Sequence, residues 1–456
     1  LSPFGSGADD SWARAGAAIA RAEAHTEVAA MRRDDGTVLR PLDNPYKTTD
    51  VLNDEHSFFF KVPVSITNGA TPPVIGTLTF EVEDDSPILL SPVALQSVDD
   101  EGITGGIEGG PDDLPGTSNT ASANLNIAWG SDNLNDDSLM GANGDRSVFF
   151  TSATVMVTTD GSTPTALLSG GQPVLTTILA NGTLVGYTGA APSSTMDANV
   201  VFHASLSDLG TGSYQFTLVK PLTHPTAGTE DDLYLKFGFT AKDSDGDVIH
   251  GNFTVLVDDD SPTAAIALTG AMVTHDESSG LQGDDVADLS AVFAGVTVKS
   301  TDMTGYAQSA GAVVTSAGSS AGADQEGATT VFSLAVANAN SGLQTTDGDN
   351  ITLTLESGIV VGRDAGGNAV FAISINPSTG VIQVAQWESI KHPTGGASHN
   401  ELVNLGNTIN AVVTVTDGDL DVATQVVAIG TQIKFADDGP TAAIALTGAM
   451  VTHDES

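Results

Sequence analysis

The sequence contains no cysteine. It needs no oxidant to fold, and small disulfide-stapled folds are excluded. Basic residues are scarce: 15 Lys and Arg stand against 57 Asp and Glu, for a formal net charge of −42. Nucleic acid and anionic membranes repel such a chain, so neither is an expected partner. Cations are the natural counterpart, because the charge that keeps the chain soluble also strains its compact state. Long apolar runs are missing as well. The best, Ala264 to Val273, falls short of the roughly 18 residues that span a bilayer and is interrupted by Thr269 and Gly270. No membrane insertion is expected. No signal peptide opens the chain. Leu1 stands where a Met would, and Ser456 falls inside a recurring segment, so both ends read as cut from something longer.

Catalytic signatures are absent too. There is no His-Glu-x-x-His, no phosphate-binding glycine loop and no paired-carboxylate arrangement that reads as a general acid and base. Gly318-Ser-Ser-Ala-Gly322 matches the nucleophile-elbow pattern in letters only, because it lies in a Ser/Gly/Ala-rich stretch that reads as a loop. The expectation is that the chain is not an enzyme. Three Asn-x-Thr sites, at Asn181, Asn252 and Asn350, carry no weight in this composition.

What is present is repetition. Pro262 to Ser278 returns unchanged as Pro440 to Ser456, 178 positions later. A weaker copy starts at Ser86-Pro87 and runs to Asp99-Asp100-Glu101, 175 positions before Pro262. Other landmarks keep the phase: Leu184-Val185-Gly186 with Val360-Val361-Gly362, Asn199 to Phe202 with Asn368 to Phe371, and His224-Pro225 with His392-Pro393. The spacing predicts two full units, 87–261 and 262–439. Residues 35–86 read as the tail of an earlier unit and 440–456 as the start of a later one. Residues 1–34 do not fit the phase. They hold four of the seven arginines, and Trp12 to Met31 reads as a helix.

Inside the units the hydrophobic period is two. Leu233, Leu235, Phe237 and Phe239 alternate with polar residues, as do Ile351 to Leu355 and Leu125, Ile127 and Trp129. This is the pattern of antiparallel strands with one buried face. Asp160-Gly161, Asn181-Gly182 and Asp347-Gly348 mark tight turns. The reading is all-β: tandem β-sandwich repeats in an elongated array. About 175 residues is large for one immunoglobulin-like sandwich of about 100, so each unit is an enlarged sandwich or two small ones.

The carboxylates cluster at the unit boundaries. Asp243, Asp245 and Asp247 form a triplet; a strand follows, then Asp258, Asp259 and Asp260, and beyond the boundary Asp276 and Glu277. The second unit repeats the series as Asp417, Asp419 and Asp421, then Asp437 and Asp438, then Asp454 and Glu455. The first boundary has Asp84-Asp85 and Asp100-Glu101 but no triplet upstream. Calcium takes six to eight oxygen ligands, and a turn with Asp at alternate positions aims several carboxylates at one point. These are not EF-hands: Gly246 comes too early, and Thr254 stands where the bidentate Glu belongs. Several calcium ions per boundary are expected, and one end of a sandwich is expected to gather all three sets. The other reading is that acidic turns only solubilise loops. The two His-Pro pairs read as strand-ending turns, since proline stops a ladder. A metal role for His224 and His392 is the second reading.

The junction Asp437-Asp-Gly-Pro-Thr-Ala442, the preceding Thr416-Asp-Gly-Asp-Leu-Asp421 and the His-Pro element resemble the large repeat modules of type I-secreted, repeats-in-toxin-type bacterial adhesins. Ile375 to Ile382 also resembles a cadherin-like strand and turn. The resemblance covers about residues 35–456. It implies calcium-dependent β-modules of immunoglobulin or cadherin kind, type I secretion, a place at the bacterial cell surface and a role in attachment or biofilm. The glycine-rich calcium nonapeptides of that family are absent, as are a visible C-terminal secretion signal and a terminal ligand-binding domain. The expected role is therefore a calcium-stiffened stalk, with any host or matrix glycan or protein engaged by regions outside the chain. The alternatives are repeats that bind glycan or protein directly, or accessory modules of a larger secreted enzyme or toxin. Trp129 and Trp387 do not occupy corresponding places in the repeat, which favours the stalk.

Overall fold

The computed structural model describes residues 57–66, 74–83, 85–109, 113–116, 118–135, 145–226, 230–394, 401–439 and 444–456. The helix read at 12–31 lies outside them. The described elements are strands and two short 3₁₀ turns. Among the described residues, no helix is long and apolar enough to cross a membrane. The chain divides into two compact units. The first draws on residues up to 104, 112–224 and 231–259, and the second on 105–111, 225–230 and 260–456. The repeat phase put this boundary at Pro262.

The first unit is a β-sandwich. One sheet has six antiparallel strands in the order Thr120–Asn124, Ser213–Leu218, Val200–Ser207, Leu184–Thr188, Gln172–Ile178, Leu168–Ser169. The other is built on the long hairpin Leu233–Lys242 and Val248–Asp258, flanked by Gln96–Asp99, Ser147–Phe150 and Met156–Thr158. The alternation in the sequence sends one side of each strand inward. Leu233, Leu235, Phe237 and Phe239 are buried, and Phe237 stacks on Phe253 with ring centroids 4.9 Å apart. Phe150, Phe202, Phe216 and Tyr214 complete an aromatic centre shared by both sheets. One continuous core makes the unit a single enlarged sandwich.

The second unit repeats the six-stranded sheet in the same order: Gly305–Gln308, Ile382–Gln386, Ala369–Ile375, Ile359–Arg363, Asn350–Glu356, Asn340–Gln344. Opposite it lie two smaller sheets. One is Thr329–Val336, Ile409–Thr416 and Val422–Ala428; the other is Val273–Asp276, Ile433–Ala436 and Leu402–Asn404. The closing strand, continuous in the first unit, is here broken by the 3₁₀ turn Gly430–Gln432.

The repeated Val-Gly landmark has a packing reason. Gly186 faces Phe202 across the ladder, and Gly362 faces Phe371. Both rings lie against the glycine, where a Cβ would come within 2.2 Å of a Phe202 ring carbon and 2.6 Å of a Phe371 ring carbon. Both strands then shift register at the next residue, a β-bulge that relieves the ladder beside the ring.

Upstream, Phe58–Ile66 and Val74–Val82 form an antiparallel hairpin in which Phe60 stacks on Phe80.

Candidate metal centres

The triplet Asp243–Asp247 is the turn of the long hairpin. Asp243 N–H donates to the Asp247 carbonyl at 3.0 Å, closing the turn. Asp243 Oδ1 accepts the N–H groups of Gly246 and Asp247 at 2.9 and 2.8 Å. Its other oxygen, Oδ2, is buried with no hydrogen-bond partner among the described residues, and so is Asp245 Oδ1. The three side chains can each offer an oxygen within 4.8 Å of the others. Burial, with Asp245 alongside, pushes the Asp243 carboxyl up to about 9. In the second unit Asp417 N–H donates to Asp421 O, and Asp417 Oδ1 accepts Asp421 N–H at 2.7 Å. Asp417 Oδ2 is again buried without a partner, and burial beside Asp419 raises this carboxyl to about 8. Gly246 sits at φ +121°, and Leu420 takes the corresponding place at φ +90°, a conformation costly for a side chain with a Cβ.

Two further segments complete each corner. Ser244 N–H donates to Asp132 O, and Gly418 N–H donates to Asp324 O, at 3.0 and 2.8 Å. Asp85 Oδ2 accepts Ser131 N–H at 2.7 Å, and Asp260 Oδ2 accepts Ala323 N–H at 2.5 Å. Ser86 Oγ reaches Asp247 Oδ2 at 3.0 Å, and Ser261 Oγ reaches Asp421 Oδ2 at 3.5 Å. Gly130 and Gly322, at φ +72° and +69°, let the boundary carboxylate lie against bare backbone. Asp132 and Asp324 are both buried. Asp324 is pushed up to about 8 by burial and by Asp419, Asp417, Asp260 and Asp421. The corner is thus a crowd of carboxylates, and the same corner is built twice.

A parallel strand pair builds a second set of groups. Gln96–Asp99 runs parallel to Val255–Asp258, so Asp99 and Asp258 are ladder partners at the carboxyl ends of both strands. Asp99 Oδ1 caps the turn Asp100–Gly102 by accepting Glu101 N–H at 2.7 Å. Asp258 Oδ2 accepts Leu114 N–H at 2.8 Å. The remaining oxygen of each is buried and unpartnered among the described residues. They face a cleft of about 90 Å³ lined also by Leu114 and Pro115. Burial is the main cause that lifts both to about 7, against the hydrogen bonds that lower them. Asp99, Glu101 and Asp113 form one possible cation set here, and Asp100, His224 and Asp259 another. In the second unit Val273–Asp276 runs parallel to Ile433–Ala436, and Glu277 N–H donates to Ala436 O at 3.1 Å. Glu277 Oε1 accepts Ile390 N–H at 2.9 Å and the Gln386 side-chain N–H. Burial raises Glu277 to about 7. Glu277, His392 and Asp437 converge within 4.8 Å.

The expectation that one end of a sandwich gathers all three sets gives way to a different pairing. The triplet 243–247 and Asp258 stand at opposite ends of the strand Val248–Asp258, about 33 Å apart. Each triplet meets the boundary residues that precede its own unit: Ser86 reaches Asp247, and Ser261 reaches Asp421. The Asp258-Asp259 pair instead meets Asp99 and Asp100, and Asp437 meets Glu277. Asp276 stays half-buried, accepting Ser278 N–H at 2.8 Å. Asp438 is exposed. Asp454 and Glu455 are exposed, and Asp454 accepts from the Ser456 N–H and hydroxyl. Sequence reasoning missed Asp132 and Asp324, although Gly130-Ser-Asp132 and Gly322-Ala-Asp324 repeat a short pattern. Ser319 Oγ in the elbow-like stretch is bonded to the Ala265 backbone, and Ser320 pairs by backbone with Thr263. Trp129 and Trp387 are both buried, each beneath a cation, Arg146 and Lys299.

Residues 272–430 match the model of a family described as a domain of unknown function, DUF5801. No curated protein matches the sequence. Among solved structures, EC1-3 of mouse clustered PcdhgC3 is 10% identical, covering 83% of this chain and 76% of that one, with a TM-score of 0.19. EC1-4 of Drosophila N-cadherin is 10% identical, covering 84% and 59%, with a TM-score of 0.15. The Ig1-2 module of the Drosophila receptor protein tyrosine phosphatase DLAR is 7% identical, covering 77% and 98%, also at 0.15. None superposes on the chain as a whole.

Proposed function

We propose that this chain is a repeat region of a secreted bacterial surface protein, a calcium-stiffened stalk for cell attachment or biofilm. The observation that carries the reading is the duplicated carboxylate corner. Asp243, Asp245, Asp324 and Asp417 each keep a buried oxygen without a hydrogen-bond partner among the described residues. Folding normally avoids burying such groups uncompensated, and the donor set is oxygen only, which suits calcium. Extracellular modules bind calcium at roughly 10⁻⁴–10⁻³ M. The corners would therefore be empty before export and filled afterwards, and the acidic chain would stiffen only outside the cell. The burial of Trp129 and Trp387 agrees with a spacer better than with an aromatic glycan platform. No catalysis is proposed, and Ser320→Ala is expected to change nothing in ester, peptide or glycoside hydrolysis assays.

The test is small-angle scattering with and without chelator, on the wild type and on Asp245→Asn with Asp419→Asn. Calcium should lengthen and rigidify the wild type and act more weakly on the variant. If chelation changes neither shape nor melting temperature, the carboxylates are a solvated surface and the stalk loses its mechanism.

A further inference from the structure

The histidines of the two His-Pro pairs are not part of the oxygen-only corners. His224 lies with Asp100 and Asp259, and His392 lies with Glu277 and Asp437, each set offering three ligand atoms within 4.8 Å. Each set is assembled from three separate segments: the turn after the first strand of the parallel pair, the His-Pro loop, and the exit of the closing strand. The scaffolding is duplicated in detail. Asp100 Oδ2 accepts the N–H of Leu222, two residues before His224, at 3.0 Å. Glu277 Oε1 accepts the N–H of Ile390, two residues before His392, at 2.9 Å. Thr223 N–H donates to Leu168 O and Lys391 N–H to Gln344 O, so each loop is also fixed just before its histidine. An Asp serves in one copy and a Glu in the other, yet the pinned loop, the imidazole and the second carboxylate are retained.

In the second unit the set contains an orphan. Both ring nitrogens of His392 are shielded from solvent, and neither has a hydrogen-bond partner among the described residues. A neutral imidazole carries one donor and one acceptor, and leaving such groups buried and unmade is costly. In the first unit Asp100, His224 and Asp259 are all almost fully buried.

We propose that each unit holds one divalent transition ion of the zinc class, bound by Asp100, His224 and Asp259 in the first unit and by Glu277, His392 and Asp437 in the second. Calcium prefers six to eight oxygens, whereas an imidazole with two carboxylates suits zinc, cobalt or nickel. Three protein ligands with an open position for water are a common zinc arrangement, and ligand atoms around such an ion stand about 3.3 Å apart. The inference does not depend on calcium filling the corners.

The experiment is a calorimetric zinc titration of the full chain in saturating calcium. Two equivalents are expected. His392→Gln should remove one and His224→Gln the other, with calcium stoichiometry unchanged. Zinc binding unaltered in the double variant would overturn the assignment, because the metal would then sit on other groups. No zinc binding in excess calcium would overturn it equally, whether calcium fills the sets or the histidines are only ion-paired. Should a variant fail to fold, the wild type decides alone: cobalt bound here must shift the ring protons of two histidines paramagnetically, and its failure to do so refutes the site.

Discussion

Asp324→Asn separates a cation site from a solvated acidic turn, because it should act in opposite directions with and without metal. Asp324 is buried among Asp417, Asp419, Asp421 and Asp260, and its carboxyl is raised to about 8. In the unfolded chain it ionises near the ordinary Asp value of about 3.9. Without metal at neutral pH, folding must hold a proton there, which costs a few kcal/mol. The isosteric amide removes that penalty. Allowing for relaxation and water entry, the gain is about 2 kcal/mol, or a rise of about 4–8 °C in the melting temperature of a unit this size. With calcium the carboxylate is needed as a ligand. A site held at tenfold above its dissociation constant contributes about 1.4 kcal/mol, and most of that should vanish in the variant. Scanning calorimetry of the full chain, in chelator and in about 10 mM calcium, reads both effects. The second unit should melt higher in chelator and respond less to calcium. A variant that melts lower in chelator, or that keeps the whole calcium shift, refutes the reasoning.

The pH dependence should be unusual for an acidic protein. In chelator, Asp99, Asp243, Asp258, Glu277, Asp324 and Asp417 keep protons in the folded state that the unfolded chain has lost. Their stabilisation is complete below about pH 4 and is lost as pH rises through their folded values of about 7 to 9, so melting temperature should fall over that window. A rise would contradict the burial of these groups. Calcium should oppose the fall, most strongly at the alkaline end. Gly362→Ala should destabilise the second unit by about 1–3 kcal/mol, because its Cβ clashes with the Phe371 ring, and should leave calcium stoichiometry unchanged; urea denaturation followed by Trp387 fluorescence measures it. Leu420→Gly should stabilise by about 1 kcal/mol, by relieving the left-handed backbone at the hairpin turn, and the same urea titration reads it.

The strands were legible because period-two alternation needs only local sequence. Leu233 to Phe239 all face the core, and the turns at Gly161, Gly182 and Gly348 take positive φ where the Asp-Gly and Asn-Gly pairs were read. What alternation cannot show is which strands are neighbours. It says which face is buried, not that Gln96–Asp99 lies parallel to Val255–Asp258, and that pairing brings Asp99 to Asp258. The single hairpin Leu233 to Asp258 likewise separates two acidic clusters that sit only eleven positions apart in sequence. Asp132 and Asp324 escaped notice because they are 192 positions apart, while the boundary residues around them repeat at 175. An insertion between landmarks hides a residue from a fixed period. The histidines were legible as turn residues, but one carboxylate of each set comes from a strand end more than 100 residues away, Asp100 for His224 and Glu277 for His392.

The most direct measurement is a calorimetric titration of the full chain with calcium at physiological ionic strength. Saturable binding at roughly 10⁻⁴–10⁻³ M is expected, with at least one equivalent per unit. Asp243→Asn with Asp245→Asn should abolish the equivalent in the first unit, and Asp417→Asn with Asp419→Asn the one in the second. Heats that never saturate, and that persist unchanged when all four carboxylates are replaced, would contradict calcium binding at the corners and leave them as acidic turns in water.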